Sequence, residues 1–133
     1  MVVEKTISRD GIKRWRLPNG NLHREDAPAL IKEDGTEKWY RNGKLHREDG
    51  PAILERSGSQ YWYRHGKLHR EDGPAIHTSN GNKHWYINNQ LHRLKGPAEL
   101  LIGGIKKYWI FGEEIDKQRF RSTSMKVRKQ IGV

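Results

Sequence analysis

The chain has no cysteine, which excludes disulfides and thiolate-bound metal. It is also short of the usual core formers: Leu, Ile, Val and Phe make up 27 of 133 residues, near the roughly 20% level below which chains tend to stay unfolded. No run approaches the about 18 apolar residues of a membrane span, and the opening MVVEKTISRDG has no apolar segment of the signal-peptide kind. There is no phosphate-cradling glycine loop, nucleophile elbow or metal-protease signature. These shortages lead us to expect a soluble, cytoplasmic protein with no cofactor, no metal and no central core.

What is present is repetition. WYRNGKLHREDGPAI (39–53) returns as WYRHGKLHREDGPAI (62–76), more weakly as WYINNQLHRLKGPAE (85–99), and irregularly as NGNLHREDAPAL (19–30). Leu22, Leu45, Leu68 and Leu91 lie 23 apart, and so do the histidines, arginines, prolines and alanines that follow them. A fixed period of this size marks a repeat architecture, in which each unit buries a thin face against its neighbour. The five Trp and five Tyr supply area for that burial.

Each unit follows one plan. A short strand (29–32, 52–56, 75–78, 98–102) ends at Asp34-Gly35, Ser57-Gly58, Asn80-Gly81 or Gly103-Gly104. An aromatic strand (37–41, 60–64, 83–87, 106–110) follows and ends at Asn42-Gly43, His65-Gly66 or Asn88-Asn89, in the slot that Asn19-Gly20 fills in the first unit. Such pairs tolerate the positive φ of tight hairpin turns. Leu-His-Arg then crosses back, and Glu-Asp-Gly-Pro leads into the next unit. Two strands per unit give a rise of about 9–10 Å, so four to five units span on the order of 40–50 Å. Trp39, Trp62 and Trp85 should stack on one face, with Tyr40, Tyr63 and Tyr86 on the other. The ends break register: counting in 23s puts Arg16 and Tyr108 in the tryptophan slot, with Trp15 and Trp109 one residue off. A one-residue slip swaps faces, so these ends must be bulged or differently covered.

His-Arg-Glu-Asp occurs intact three times and then as His92-Arg93-Leu94-Lys95. An active site needs one pre-organised constellation, whereas this is a ladder. Histidine and aspartate are expected to bond turn backbone, and arginine and glutamate to pair between units. His77 and His84 flank one hairpin and read as exposed strand residues; even facing each other across its turn they would be too few for a metal site. The +10 net charge is uneven, with eight bases against three acids in residues 104–133. Asp116 is a fitting N-cap for a helix over 117–129, with Ile115 and Phe120 as a hydrophobic staple.

With Asn-Gly-Lys-x-His recurring at this period, residues 11–112 resemble the MORN-repeat group. They are more similar to the MORN-variant repeats of bacterial antitoxin-like, phage and giant-virus proteins. The common form has His-Gly-x-Gly where this chain has His-Arg-Glu-Asp-Gly-Pro. The resemblance implies hairpins stacked into an extended antiparallel sheet that serves protein interaction, with no catalytic residues to carry over.

The expectation is therefore an all-β protein, a single-sheet stack of 23-residue antiparallel hairpins with a short C-terminal capping helix. Residues 1–10 form an edge strand, 11–112 four to five repeats, and 113–133 a basic helix or tail. Its expected role is a non-enzymatic binding module, phage- or virus-encoded and inhibitory or antitoxin-like, that grips an acidic protein. The expected contacts are Arg41, Arg64, Lys44, Lys67, Arg93, Lys95, Lys106, Lys107, Lys117, Arg119, Arg121, Lys126, Arg128 and Lys129. The alternative is nucleic acid held at the basic end. No membrane partner is expected.

Overall fold

A computed structural model describes residues 2–133; Met1, the start of the expected edge strand, lies outside the described residues. The strands are β1 (Glu4–Ile7), β2 (Lys13–Arg16), β3 (Leu30–Ile31), β4 (Glu37–Lys38), β5 (Tyr40–Arg41), β6 (Lys44–Leu45), β7 (Ile53–Leu54), β8 (Gln60–Tyr61) and β9 (Tyr63–Arg64). They continue as β10 (Lys67–Leu68), β11 (Ile76–His77), β12 (Lys83–His84), β13 (Tyr86–Ile87), β14 (Gln90–Leu91), β15 (Glu99–Leu101), β16 (Ile105–Ile110) and β17 (Glu113–Ile115). One helix, α1 (Lys117–Ile131), closes the chain.

Eleven strands form one antiparallel sheet in the order β1-β2-β3-β4-β7-β8-β11-β12-β15-β16-β17. The stack of hairpins with a terminal helix is thus what the period predicted. The aromatic strands, however, do not run through as single strands. Each of the three middle ones breaks at its tryptophan, whose N–H bonds the carbonyl of the alanine 13 residues on (Trp39 to Ala52, Trp62 to Ala75, Trp85 to Ala98, all 2.7 Å). Beyond the break the chain forms a second row of small hairpins, β5-β6, β9-β10 and β13-β14. The four alanines at 29, 52, 75 and 98 are completely buried, so the core is a line of methyl groups closed by Leu17, Leu30 and Ile110.

The two turn families differ for a reason visible in their dihedrals. Asn42 (φ 48°) and Gly43 (φ 80°) are both left-handed, the geometry that suits a two-residue hairpin to the twist of its strands. At the other edge Lys32 N–H bonds Thr36 O and Gly35 N–H bonds Lys32 O (2.9 and 3.0 Å), a wider loop with one left-handed glycine.

The ends resolve differently from each other. Trp15 does occupy the tryptophan slot, because its N–H bonds Ala29 O at 2.8 Å. One extra residue in the Leu17–Asn21 turn absorbs the slip, so Arg16 is not in that slot. At the other end the count holds. Trp109 takes the tyrosine position, its carbonyl accepting from Arg93 N–H (3.1 Å) as Tyr86, Tyr63 and Tyr40 accept from Arg70, Arg47 and Arg24. Tyr108, in the tryptophan slot, is covered by Phe120 of α1 (ring centroids 4.7 Å). Asp116 caps α1 by accepting from Arg119 N–H, and Gly132 ends it in the left-handed conformation.

Candidate functional site

The Leu-His-Arg-Glu-Asp segments form one edge of the body, and nearly every polar group there has an internal partner. Histidine Nδ1 accepts from the turn of the next unit: Asn42 N–H to His23 (2.9 Å), His65 to His46 (2.9 Å), Asn88 to His69 (3.1 Å) and Phe111 to His92 (2.9 Å). The preceding leucine carbonyl accepts the following N–H, from Gly43, Gly66, Asn89 and Gly112 (2.8–2.9 Å). Since Nδ1 accepts, the imidazole proton sits on Nε2. It donates to Glu25, Glu48 and Glu71 at 2.9, 2.8 and 3.3 Å.

Arginine completes the unit. Arg24, Arg47, Arg70 and Arg93 lie 3.8–4.0 Å over the rings of Trp15, Trp39, Trp62 and Trp85, a cation–π contact. Each donates to a proline carbonyl four residues on (3.1–3.2 Å). Arg47 and Arg70 also bind Asp49 and Asp72 through Nε (3.0 and 2.9 Å). A Cβ at Gly50 or Gly73 would come within 2.7–2.8 Å of that guanidinium carbon. Ala27 stands at the corresponding place in the first unit. So histidine does bond turn backbone, whereas the aspartates bond arginine.

The opposite edge carries a second latch that sequence reading missed. Thr36 Oγ1, Ser59 Oγ and Asn82 Oδ1 accept N–H groups from the next unit's turn, of Arg56, Ser79 and Ile102 (3.2, 2.9 and 2.8 Å). Their 23-residue spacing was the available signal, hidden because three residue types share the role. His77 and His84 do not face each other: His77 pairs with Lys83 and His84 with Ile76. His84 instead binds Glu99 (2.9 Å), which also accepts from Trp109 Nε1 (2.8 Å). Among the described residues no three metal-ligating side chains gather.

The expected contact cations do not form one patch. Arg41 reaches Glu25 across units at 3.5 Å, and Arg64 lies close enough to Glu48 to help hold that carboxyl below its ordinary range, after the larger effect of His46. Lys44 and Lys67 are exposed directly opposite Arg41 and Arg64. Arg93 is spent on Trp85, and burial lowers its own proton affinity. Lys95 is exposed, and Lys106 and Lys107, also exposed, alternate along β16 and so point to opposite faces. At about 3.6 residues per turn, Lys117, Arg121 and Arg128 flank one side of α1, Arg119 and Lys126 the other, and Lys129 points outward.

One sheet face carries a groove of about 800 Å³ lined by Lys32, Lys38, Ile53, Arg56, Tyr61 and Tyr63 with Asp34 and Glu55. Lys38, Ile53, Tyr61 and Ile76 are successive cross-strand partners and share that face. Tyr63 influences the ionisation of both Tyr40 and Tyr86, whose hydroxyls burial holds protonated above their usual range, as a tyrosine row requires.

No family model matches the chain, and comparison with curated proteins and with solved structures found no match.

Proposed function

We propose that this chain is a non-enzymatic binding module whose stacked hairpins present a surface to an acidic protein partner. The observation that carries the reading is the groove on the tyrosine face. Its floor is aromatic and aliphatic (Ile53, Tyr61, Tyr63) and its rim is polar, with three cations against two acids. An aromatic centre with a charged rim is the anatomy of a protein interface. The histidines of the repeats hold the next unit's turn, and the arginine, glutamate and aspartate are engaged by partners in their own unit, which supports a structural use for them. An inhibitory role, in a phage- or virus-encoded protein, follows the sequence resemblance.

The test is capture of partners from host extract by the full chain, with and without nuclease, beside the Lys38→Glu/Tyr61→Ser variant. A protein retained after nuclease treatment and lost with the variant supports the reading. Retention that disappears with nuclease, and affinity for oligonucleotides that falls steeply with salt, would replace it with the nucleic-acid reading.

A further inference from the structure

The fourth unit departs from the repeat at one place on the loop edge, and its departures share a chemistry. Leu94 stands where Glu25, Glu48 and Glu71 meet histidine Nε2, and Lys95 stands where Asp49 and Asp72 meet arginine Nε. Ile87 replaces the arginine that pairs with the neighbouring glutamate in the first units. Phe111, 44% exposed, takes the turn position held elsewhere by Asn42, His65 and Asn88. It adopts a φ of 45°, which an aromatic side chain rarely does, and stacks on His92 at 3.9 Å.

Each change has a cost that the other units avoid. Among the described residues His92 donates to no carboxylate, and the Arg93 side chain keeps only its proline carbonyl and its tryptophan. Lys95 is exposed and stands next to Arg93, a charge of the same sign, two places on in the chain. By the register of the repeats, half-buried Ile87 and Leu94 stand where arginine and glutamate stand in the first units, and with exposed Phe111 they make this edge apolar beside Arg93 and Lys95, with Glu71 remaining on the third-unit side. Of the acids that follow Lys95, Glu99 is bound to His84 and Trp109 Nε1, and Glu113 lies beyond the Phe111 turn.

Resting on the protein-binding reading, we propose that this apolar edge is a docking site for an acidic peptide segment carrying a large apolar residue. The apolar side chain would lie along Leu94 and Phe111, and its carboxylates would meet Lys95 and the edge of Arg93. A second copy of the chain fits less well. Its loop-edge acids at 25, 48, 49 and 72 are already bound to its own histidines and arginines, and a net charge of +10 on each copy opposes association.

The test restores the repeat. Leu94→Glu/Lys95→Asp returns the fourth unit to His-Arg-Glu-Asp, so it should fold at least as stably as the parent. Short random peptides are selected on the full chain from a displayed library. We expect acidic peptides with an aromatic or leucine anchor, whose affinity drops about ten-fold or more on the double variant. Selected peptides that bind the double variant equally but lose binding with Tyr61→Ser overturn this site and leave the groove reading standing. No selected peptides, with tight oligonucleotide binding instead, overturns both. A double variant that unfolds would show that Leu94 and Lys95 serve the fold, and would sink the proposal as well.

Discussion

At the residue scale, the histidine ladder is the part of this molecule with the sharpest chemical requirement. Nδ1 must offer a lone pair to the next turn, so the neutral imidazole is part of the fold. His46→Leu would leave the His65 N–H without its acceptor and Glu48 without its donor, at a cost of about 1–3 kcal/mol. A urea-unfolding midpoint equal to the parent's would contradict this. Acid should act on one member of that row, His92. Burial holds His92 below its ordinary 6.5, because desolvation disfavours the imidazolium. The unfolded chain therefore takes up that proton first as pH falls. The stability contributed by neutral His92 is complete above 6.5 and is lost as pH drops toward the folded value. Glu25 and Glu48 are held below their ordinary 4.5, first by the histidine hydrogen bond. Their contribution is present above 4.5 and disappears on further acidification through the folded values. Unfolding midpoints measured from neutral pH downward should thus fall in two stages, and a flat profile to pH 5 or so would remove the first.

At the element scale, the C-terminal helix matters as the cover of the last unit. It brings Phe120 onto Tyr108 where the other units place an arginine on tryptophan. Asp116→Ala removes the acceptor for Arg119 N–H and should destabilise α1 by about 1 kcal/mol. Hydrogen exchange should then quicken along 117–131 and in β16 while β7 and β8 stay protected; uniform quickening would mean that the cap is not local. Much of this layer was legible in the sequence. The period placed the strands and turns, and the N-cap placed the helix to within two residues of its end. The break at each tryptophan was not legible, because alternation of side chains says nothing about where a backbone turns its N–H. The second row of hairpins followed from that break. Nor was the pairing of His77 with Lys83. The wider loop at 78–82 shifts register by one residue, and only its left-handed glycine, not the dipeptide Asn80-Gly81, reveals the width. The contact surface was least legible of all: net charge counted cations that the fold spends on tryptophan and glutamate or scatters over opposite faces.

At the scale of the whole molecule, successive units are fastened by four histidine bonds at one edge and, from the Thr36 turn onward, by Thr36, Ser59 and Asn82 at the other. These bonds span 19 or 20 residues, so the body is a chain of nearest-neighbour couplings with few distant contacts. Such a molecule should tolerate loss of a whole unit and not of part of one. Deleting residues 46–68 removes one period of 23 and joins Leu45 to His69, so every latch on either side finds an equivalent partner. The shortened chain should fold to a sheet two strands narrower, keep its helix, and unfold cooperatively with a smaller denaturant slope, since less surface is exposed. Deleting a stretch one residue shorter leaves one residue that the two-residue Asn42-Gly43 turn, unlike the longer Leu17–Asn21 turn, cannot absorb. The joined segment would then turn His69 to the wrong face, away from the Asn88 N–H, and the chain should not fold. Small-angle scattering and urea titration of the two deletions decide the matter. If both fold, or neither does, the coupling is not between adjacent units, and the body is held by something other than its paired latches.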